Sequence, residues 1–166
     1  MPFQKLNPAS ELYDKYKKNT TQYKDDLSNL RETVAAIITK KRLVSYMNTT
    51  KWLKLQSAVH QLSFLPAYII KSITDKENNQ NIIKGLERLK KEAPWWLGDW
   101  SNFYEEGMPP LFNIEWIKVR PQLSISKGAL IQPEIIDESD SFRVILNDHY
   151  IPHEEANHIF TIYGYK

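Results

Sequence analysis

Apolar residues in the first third of the chain recur at spacings of three and four, the period of an amphipathic helix. Asn7-Pro8 supplies a cap followed by a proline, so a short polar helix is expected from there to about Lys18. Asn19-Thr20-Thr21 offers a second cap and predicts a longer helix to about Met47. Its apolar stripe consists of Tyr23, Leu27, Leu30, Val34, Ile37 and Val44. The stripe favours packing within the chain, and a homodimer seam through the 21–47 helix is the alternative.

Three shorter helices are predicted further along the chain. One is capped by Met47-Asn48-Thr49-Thr50 and ends before Pro66, with an apolar face formed by Trp52, Leu55, Val59 and Leu62. The next is closed by Ala93-Pro94 and carries Ile82, Ile83, Leu86 and Leu89. The last follows Asp137-Glu138-Ser139 and runs to about Asp148, with Phe142, Ile145 and Leu146 facing inward.

Four segments have the β-branched and aromatic composition that is typical of strands: residues 67–74, 113–120, 124–131 and 158–165. The 113–120 segment is apolar on both faces, which places it in the interior of its sheet. The order of elements predicts an α+β fold in which N-terminal helices pack on a small, mainly antiparallel sheet. We expect one compact domain overall, divided into an N-terminal helical extension (residues 1–47) and an α+β core (residues 48–166).

Composition narrows the function classes. The 166 residues include no cysteine, which excludes disulfides, thiolate zinc sites and cysteine nucleophiles. The net charge of +2 is too balanced to indicate nucleic acid or an anionic membrane as partner. The longest uncharged apolar stretch, residues 62–70, is far shorter than the ~20 residues of a membrane span. The N-terminus has no apolar run typical of a signal peptide, so a cytoplasmic protein is expected.

Four of the five tryptophans lie between residues 94 and 121, close to the turn pair Gly98-Asp99 and to Pro109-Pro110. Buried tryptophans would anchor a loop or a core, because three exposed indoles together would make an unusually large apolar patch. Aromatic anchors on a proline-braced loop are also typical of an interface hot spot. The candidate partner-binding residues are Trp95, Trp96, Asp99, Trp100, Tyr104 and Glu106. The segment does not choose among protein, peptide and carbohydrate ligands.

Candidate metal ligands are explained more simply by local structure. His149, His153 and His158 lie close in sequence, but Pro152 forbids a continuous helix that would align the first two. Asp137, Glu138 and Asp140 lie at the start of a predicted helix, where carboxylates cap free N–H groups and complement the helix dipole; the expectation is no metal site and no cofactor.

Catalytic candidates are limited to carboxylates near the tryptophans. Asp99 with Glu105, Glu106 or Glu115 could form a glycosidase-like pair, although nothing in the sequence brings two of them to the required separation of about 5–10 Å. Nucleophile-elbow, phosphate-loop and dinucleotide motifs are absent, so no catalytic residue is predicted. Two basic clusters, residues 40–42 and 84–91, have acidic neighbours and do not indicate nucleic-acid binding.

Four short motifs carry a resemblance to an uncharacterised family of small bacterial proteins. They are Met47-Asn48-Thr49-Thr50-Lys51-Trp52, Gly98-Asp99-Trp100, Ile114-Glu115-Trp116, and Ile151-Pro152 followed by Ile162-Tyr163-Gly164-Tyr165. The resemblance runs from Leu43 to the end, and this chain departs from it in the helical segment before Leu43 and in an insertion at about residues 78–91. The family carries no activity that could be transferred. As a small α+β protein, the chain is similar in general type to immunity proteins encoded beside bacterial contact-delivered toxins. This is an analogy of protein type, and no shared motif supports it.

These observations support two function hypotheses of different classes. The leading hypothesis is a non-enzymatic bacterial protein-binding module, with an immunity protein that occludes the active site of a cognate toxin as the specific case. The alternative is a small hydrolase or carbohydrate-binding enzyme that uses carboxylates of the tryptophan-rich segment. Neither hypothesis involves nucleic acid or membrane.

Overall fold

The computed structural model describes residues 8–101 and 107–166. This part of the chain is α+β, as the sequence predicts. Two single-turn 3₁₀ helices, Val59–Gln61 and Leu111–Asn113, accompany the longer elements. The helices are α1 (Pro8–Gln22), α2 (Lys24–Lys41), α3 (Thr49–Ala58), α4 (Gln80–Lys91) and α5 (Ser139–Asp148). The strands are β1 (Ala67–Ser72), β2 (Ile114–Arg120), β3 (Gln122–Ile125), β4 (Glu134–Asp137), β5 (Glu154–Ala156) and β6 (Ile159–Tyr163).

The main sheet has the strand order β1-β2-β6-β5, and every pairing in it is antiparallel. β2 lies in the interior, which agrees with its apolar residues on both faces. β5 was not predicted because its three exposed residues, Glu-Glu-Ala, include no β-branched or aromatic side chain. Asn157 and His158 both have positive φ (50° and 67°), so they form a tight turn that joins β5 to β6.

One face of the sheet forms the main hydrophobic core. Ile117 and Val119 of β2 and Phe160 and Ile162 of β6 are fully buried there. α3 and α5 cover this face, and the ring of Phe142 packs edge-on against Phe160 with centroids 5.1 Å apart. Helices packed on a small, mainly antiparallel sheet are the predicted architecture.

α4 covers part of the opposite face and creates a second, smaller core. Leu89 of α4 is completely buried against Ala67 and Ile159, with Ile69 and Trp96 at its margin. A side chain on Gly85 would place its Cβ 2.8 Å from Ile69 Cδ1, so glycine allows the helix to approach the strand closely. The predicted insertion (78–91) therefore contains the whole of α4, which belongs to the folded unit.

Several element boundaries differ from the prediction. α1 continues through Asn19–Thr21, the expected second cap, to Gln22, and α3 ends at Ala58, several residues before Pro66. The second helix was expected to reach Met47, but α2 ends at Lys41 because Arg42 has a left-handed φ of 56°. Val44 and Lys166 then exchange two backbone hydrogen bonds, of 2.9 and 3.0 Å. These bonds join the segment after α2 to the residues that follow β6. The predicted 124–131 strand was also misplaced. β3 ends at Ile125, residues 126–133 form a loop, and a small second sheet is completed by β4.

Candidate functional site

A loop of the tryptophan-rich segment, residues 94–100, bends at Trp95 and Trp96 and presents alternate side chains to solvent. Trp95 is 68% exposed and Leu97 is 56% exposed, and Asp99 is exposed as well. The residues between them turn inward: Trp96 is half-buried and Trp100 is only 1% exposed. The alternation does not come from a strand, because the backbone bends at Trp95 and Trp96 and the rings of these two residues are in contact. We refer to Trp95, Leu97 and Asp99 as the exposed row.

The buried residues of the stretch fix its position on the protein. The indole N–H of Trp100 donates a hydrogen bond of 2.9 Å to the carbonyl oxygen of Pro66, and its ring packs edge-on against Tyr68 at 5.0 Å. The hydroxyl group of Tyr68 donates to the carbonyl oxygen of Asp99. Burial, followed by the charge of Asp99, raises the pKa of Tyr68, so this hydroxyl stays a neutral donor at physiological pH.

Backbone contacts brace the same stretch at both ends. Gly98 N–H donates to Leu65 at 3.1 Å, and Ser124 N–H of β3 donates to Pro94 at 2.7 Å. A Cβ on Gly98 would lie 2.1 Å from the carbonyl oxygen of Pro66, so only glycine fits against that backbone. The exposed row is therefore carried by backbone that is already held in place before any partner binds.

The six predicted partner-binding residues have different locations. Trp95 and Asp99 are accessible, Trp96 is accessible in part, and Trp100 serves as an anchor that offers no surface to a partner. Tyr104 and Glu106 lie outside the described residues, as does Glu105 of the proposed carboxylate pair. Leu97 was not predicted as a binding residue. Its apolar side chain within the tryptophan-rich segment, between Trp96 and Gly98, was the signal that the sequence offered.

Two cavities flank the stretch. The first, of about 300 Å³, lies between α4 and the loop and is lined by Ile69, Asn81, Lys84, Gly85, Arg88 and Trp96. The second, of about 430 Å³, includes Asp99, His60 and Glu11 in its lining. His60 Nδ1 lies 2.9 Å from the carbonyl oxygen of Gln56.

The carboxylates of the hydrolase hypothesis have separate structural partners. Asp99 Oδ1 accepts hydrogen bonds from the backbone N–H and the hydroxyl group of Ser101 at 3.0 and 2.5 Å. Glu115 forms an ion pair with Lys71, whose side chain is only 6% exposed. Glu77 is 3.5 Å from the same ammonium group and 2.8 Å from that of Lys41, so Glu115 belongs to a charge network between β1, β2 and α2.

The candidate metal ligands have local roles. His153 Nδ1 lies 2.9 Å from the carbonyl oxygen of Ile151, and His158 Nδ1 lies 3.4 Å from the side-chain nitrogen of Gln122, whereas His149 follows the end of α5. Within residues 8–101 and 107–166, no group of three histidine or acidic residues is arranged to hold a metal ion.

The acidic residues at the start of α5 are engaged in hydrogen bonds. Asp137 Oδ1 accepts from the backbone N–H of Ser139 at 2.8 Å, which is the capping role expected from the sequence, although Glu138 occupies the cap position itself. Glu138 accepts from the hydroxyl group of Ser63 at 2.5 Å, and Asp140 pairs with Arg143 at 2.7 Å. These contacts join α5 to neighbouring parts of the fold.

Comparison with known proteins places the chain in a family. Residues 34–166 match the model of a family of unknown function, DUF6678, so the match begins earlier than the resemblance from Leu43 seen in the sequence. No curated protein and no solved structure matches. None of the helices in the described part of the chain combines the length and apolar character that a membrane crossing requires. Because the family model covers most of its length, the chain belongs to the family of unknown function DUF6678.

Proposed function

We propose that this chain is a non-enzymatic bacterial protein-binding module that acts in the cytoplasm. The specific case we favour is an immunity protein that covers the active site of a cognate toxin. The observation that supports the proposal is the exposed row, in which Trp95 and Leu97 present more than half of their side-chain surface from a braced backbone.

The energetics of the row suit a binding role. An indole that is 68% exposed offers about 150 Å² of surface, and burying that area contributes roughly 3–4 kcal/mol at about 25 cal/mol per Å². The hydrogen bonds of Pro94, Gly98 and Trp100 already order the backbone, so binding does not have to supply the cost of ordering it. Large aromatic area on preorganised backbone is typical of interface hot spots.

The charge of the chain limits the partner. Inhibitors of nucleic-acid-cleaving toxins usually present a strongly acidic face to a basic enzyme, whereas this chain has a net charge of +2. A toxin with a neutral or acidic surface around its active site is therefore the better match.

The first prediction concerns the product of the neighbouring gene. We expect it to bind this chain with a Kd at or below about 1 µM, and we expect Trp95→Ala to raise the Kd at least tenfold, which corresponds to about 1.4 kcal/mol. Isothermal titration calorimetry with both purified proteins measures the effect, and inhibition of the toxin should weaken in parallel.

Tyr150→Ala provides the matched control, because Tyr150 is an aromatic residue that is even more accessible than Trp95 (84% against 68% exposed) and lies beyond the end of α5, outside the exposed row. Absence of a complex at micromolar concentrations would contradict the proposed function. If Trp95→Ala changes the Kd of the complex as little as Tyr150→Ala does, the role of the exposed row is contradicted.

The alternative, a small hydrolase or carbohydrate-binding enzyme, is supported by one observation. Asp99 shares the cavity of about 430 Å³ with Glu11 and His60, so two carboxylates and an imidazole line a single space. A screen of the purified protein against aryl glycosides and esters, with Asp99→Asn as the reference, distinguishes this function from binding alone.

A further inference from the structure

The cavity between α4 and Trp96, which we call the basic groove, has an unbalanced set of polar side chains. Asn81, Lys84 and Arg88 follow one another at helical spacing and therefore lie on the same flank of α4. The remaining lining residues are Ile69, Gly85 and Trp96, so the groove of about 300 Å³ contains two cations, one amide and no carboxylate.

In the part of the chain that the structure describes, neither cation of the groove has a carboxylate partner. Lys84 and Arg88 are exposed and are absent from the ion pairs formed within residues 8–101 and 107–166. The guanidinium carbon of Arg88 lies 5.9 Å from the centre of the Trp96 ring, which positions the group without satisfying its N–H donors. Two unpaired cations that converge on one groove favour an anionic ligand.

The other flank of α4 adds to the positive potential. Lys90 lies near Lys118 of β2, and burial together with the charge of Lys90 lowers the pKa of Lys118. Three carboxylates lie in this region: Glu87 on α4, Glu92 at its end, and Glu154, whose charge acts on Lys118. All three are exposed, and none of them lines the groove. An anion in the groove would therefore meet a region where cations outnumber carboxylates.

The groove adjoins the exposed row through neighbouring tryptophans. Trp96 lines the groove, and its ring packs edge-on against Trp95 with centroids 5.6 Å apart. A protein surface that covers Trp95 would therefore bring its own side chains to the mouth of the groove. Charged groups beside an apolar anchor set the orientation and specificity of an interface.

We infer that the basic groove receives an acidic side chain, aspartate or glutamate, from the protein partner that covers the exposed row. This inference rests on the proposed function and adds to it the chemistry of the partner. Lys84 and Arg88 pair with the carboxylate, and Trp95 supplies the adjacent apolar contact.

The test uses the purified chain without its partner, and a capped tetraglutamate peptide serves as the probe. The reporter is the indole N–H resonance of Trp96 in two-dimensional NMR, assigned with Trp96→Phe. We expect a saturable shift at millimolar peptide, reduced at least fivefold in Lys84→Glu/Arg88→Glu and absent with a capped tetralysine peptide. Inorganic phosphate should shift the resonance less than the glutamate peptide does.

Lys40→Glu/Lys54→Glu provides the matched control, because both lysines are exposed, lie on other helices and give the same change in net charge. The inference is overturned if this control loses the response equally, if Lys84→Glu/Arg88→Glu retains it, if no saturable shift occurs, or if phosphate is the stronger ligand. Thermal unfolding of each variant confirms that the fold is intact.

The same variants separate this inference from the proposed function. Suppose that the complex with the neighbouring gene product is weakened by Trp95→Ala and unaffected by Lys84→Glu/Arg88→Glu. This result would support the proposed function and overturn the inference about the basic groove. A saturable glutamate response without any complex would support the groove chemistry and contradict the function.

Discussion

At the scale of single residues, three neighbouring tryptophans have different roles because their side chains are buried to different extents. Trp100 is buried and hydrogen-bonded, Trp96 lies at the margin of the small core, and Trp95 is largely in solvent. Composition alone assigns the same two interpretations, anchor or binding residue, to all three. The difference arises from which side chain faces the protein, and that depends on tertiary contacts with Pro66 and Tyr68.

Conservative substitution of two of these tryptophans should therefore have unequal effects on stability. We expect Trp100→Phe to lower the free energy of unfolding by about 2–4 kcal/mol, because it removes buried volume and leaves the Pro66 carbonyl oxygen without its 2.9 Å partner. Trp95→Phe should change it by less than about 0.5 kcal/mol, since that ring is exposed. Urea unfolding measures both values, and equal losses would contradict the assignment of anchor and exposed residue.

At the scale of elements, the long periodic segments were predictable and the short irregular ones were not. α3, α4, α5, β1, β2 and β6 lie close to their predicted positions, because each buries an apolar stripe or a run of β-branched residues. β4 and β5 have exposed residues and exist only through pairing with β3 and β6. The early end of α2 depends on the left-handed conformation of Arg42, a residue type that gives no such signal in a sequence.

The candidate site was predictable only in part for the same reason. The density of tryptophans indicated the segment that carries the exposed row. The predicted turn at Gly98-Asp99 does not form; Gly98 is needed because its backbone lies against the carbonyl oxygen of Pro66. The basic groove could not be predicted from Lys84 and Arg88, because it forms only when Gly85 lets α4 approach Ile69 and Trp96 closes the other side.

The stability of the protein should depend on pH through Glu138, which lies at the start of α5. The Ser63 hydroxyl group donates to this carboxylate and lowers its pKa. Because the pKa of Glu138 is lower in the folded than in the unfolded chain, its ionised carboxylate stabilises the folded state. This contribution is complete at pH values above the pKa of the unfolded chain, about 4.3, and it is lost as the pH falls through the pKa of the folded chain. We expect Glu138→Gln to be less stable than the wild type at pH 7, and the difference to shrink below about pH 4.

Urea midpoints at pH 7 and pH 3.5 measure this difference, and Ser63→Ala serves as the companion variant because it removes the donor of the same hydrogen bond. Ser63→Ala should show the same pH dependence, and the double variant should add little to either single change. A stability difference that is constant with pH would argue against Glu138 as the titrating group.

At the scale of the whole molecule, the N-terminal helices and the sheet are physically connected. Leu27 and Val34 of α2 are 8% and 2% exposed, so the apolar stripe packs within the chain at these positions. Val44 and Tyr46 donate backbone hydrogen bonds to Lys166 and Gly164. A division at residue 47 would separate these partners, whereas a division at residue 34, where the family match begins, would keep them together.

We therefore expect residues 34–166 to fold without the first 33 residues, and residues 48–166 to be much less stable. Removing α1 and the start of α2 exposes the contacts of Tyr16 and Leu27, at a cost of roughly 3–5 kcal/mol out of the ~5–15 that is typical of a domain. The shorter chain also loses Val34 and the bonds to Gly164 and Lys166. Urea unfolding followed by circular dichroism measures the free energy of unfolding of the full chain, of residues 34–166 and of residues 48–166. Equal stability of the 34–166 and 48–166 chains would show that residues 34–47 are an appendage. The fold would then be complete without the hydrogen bonds that Val44 and Tyr46 form with Lys166 and Gly164.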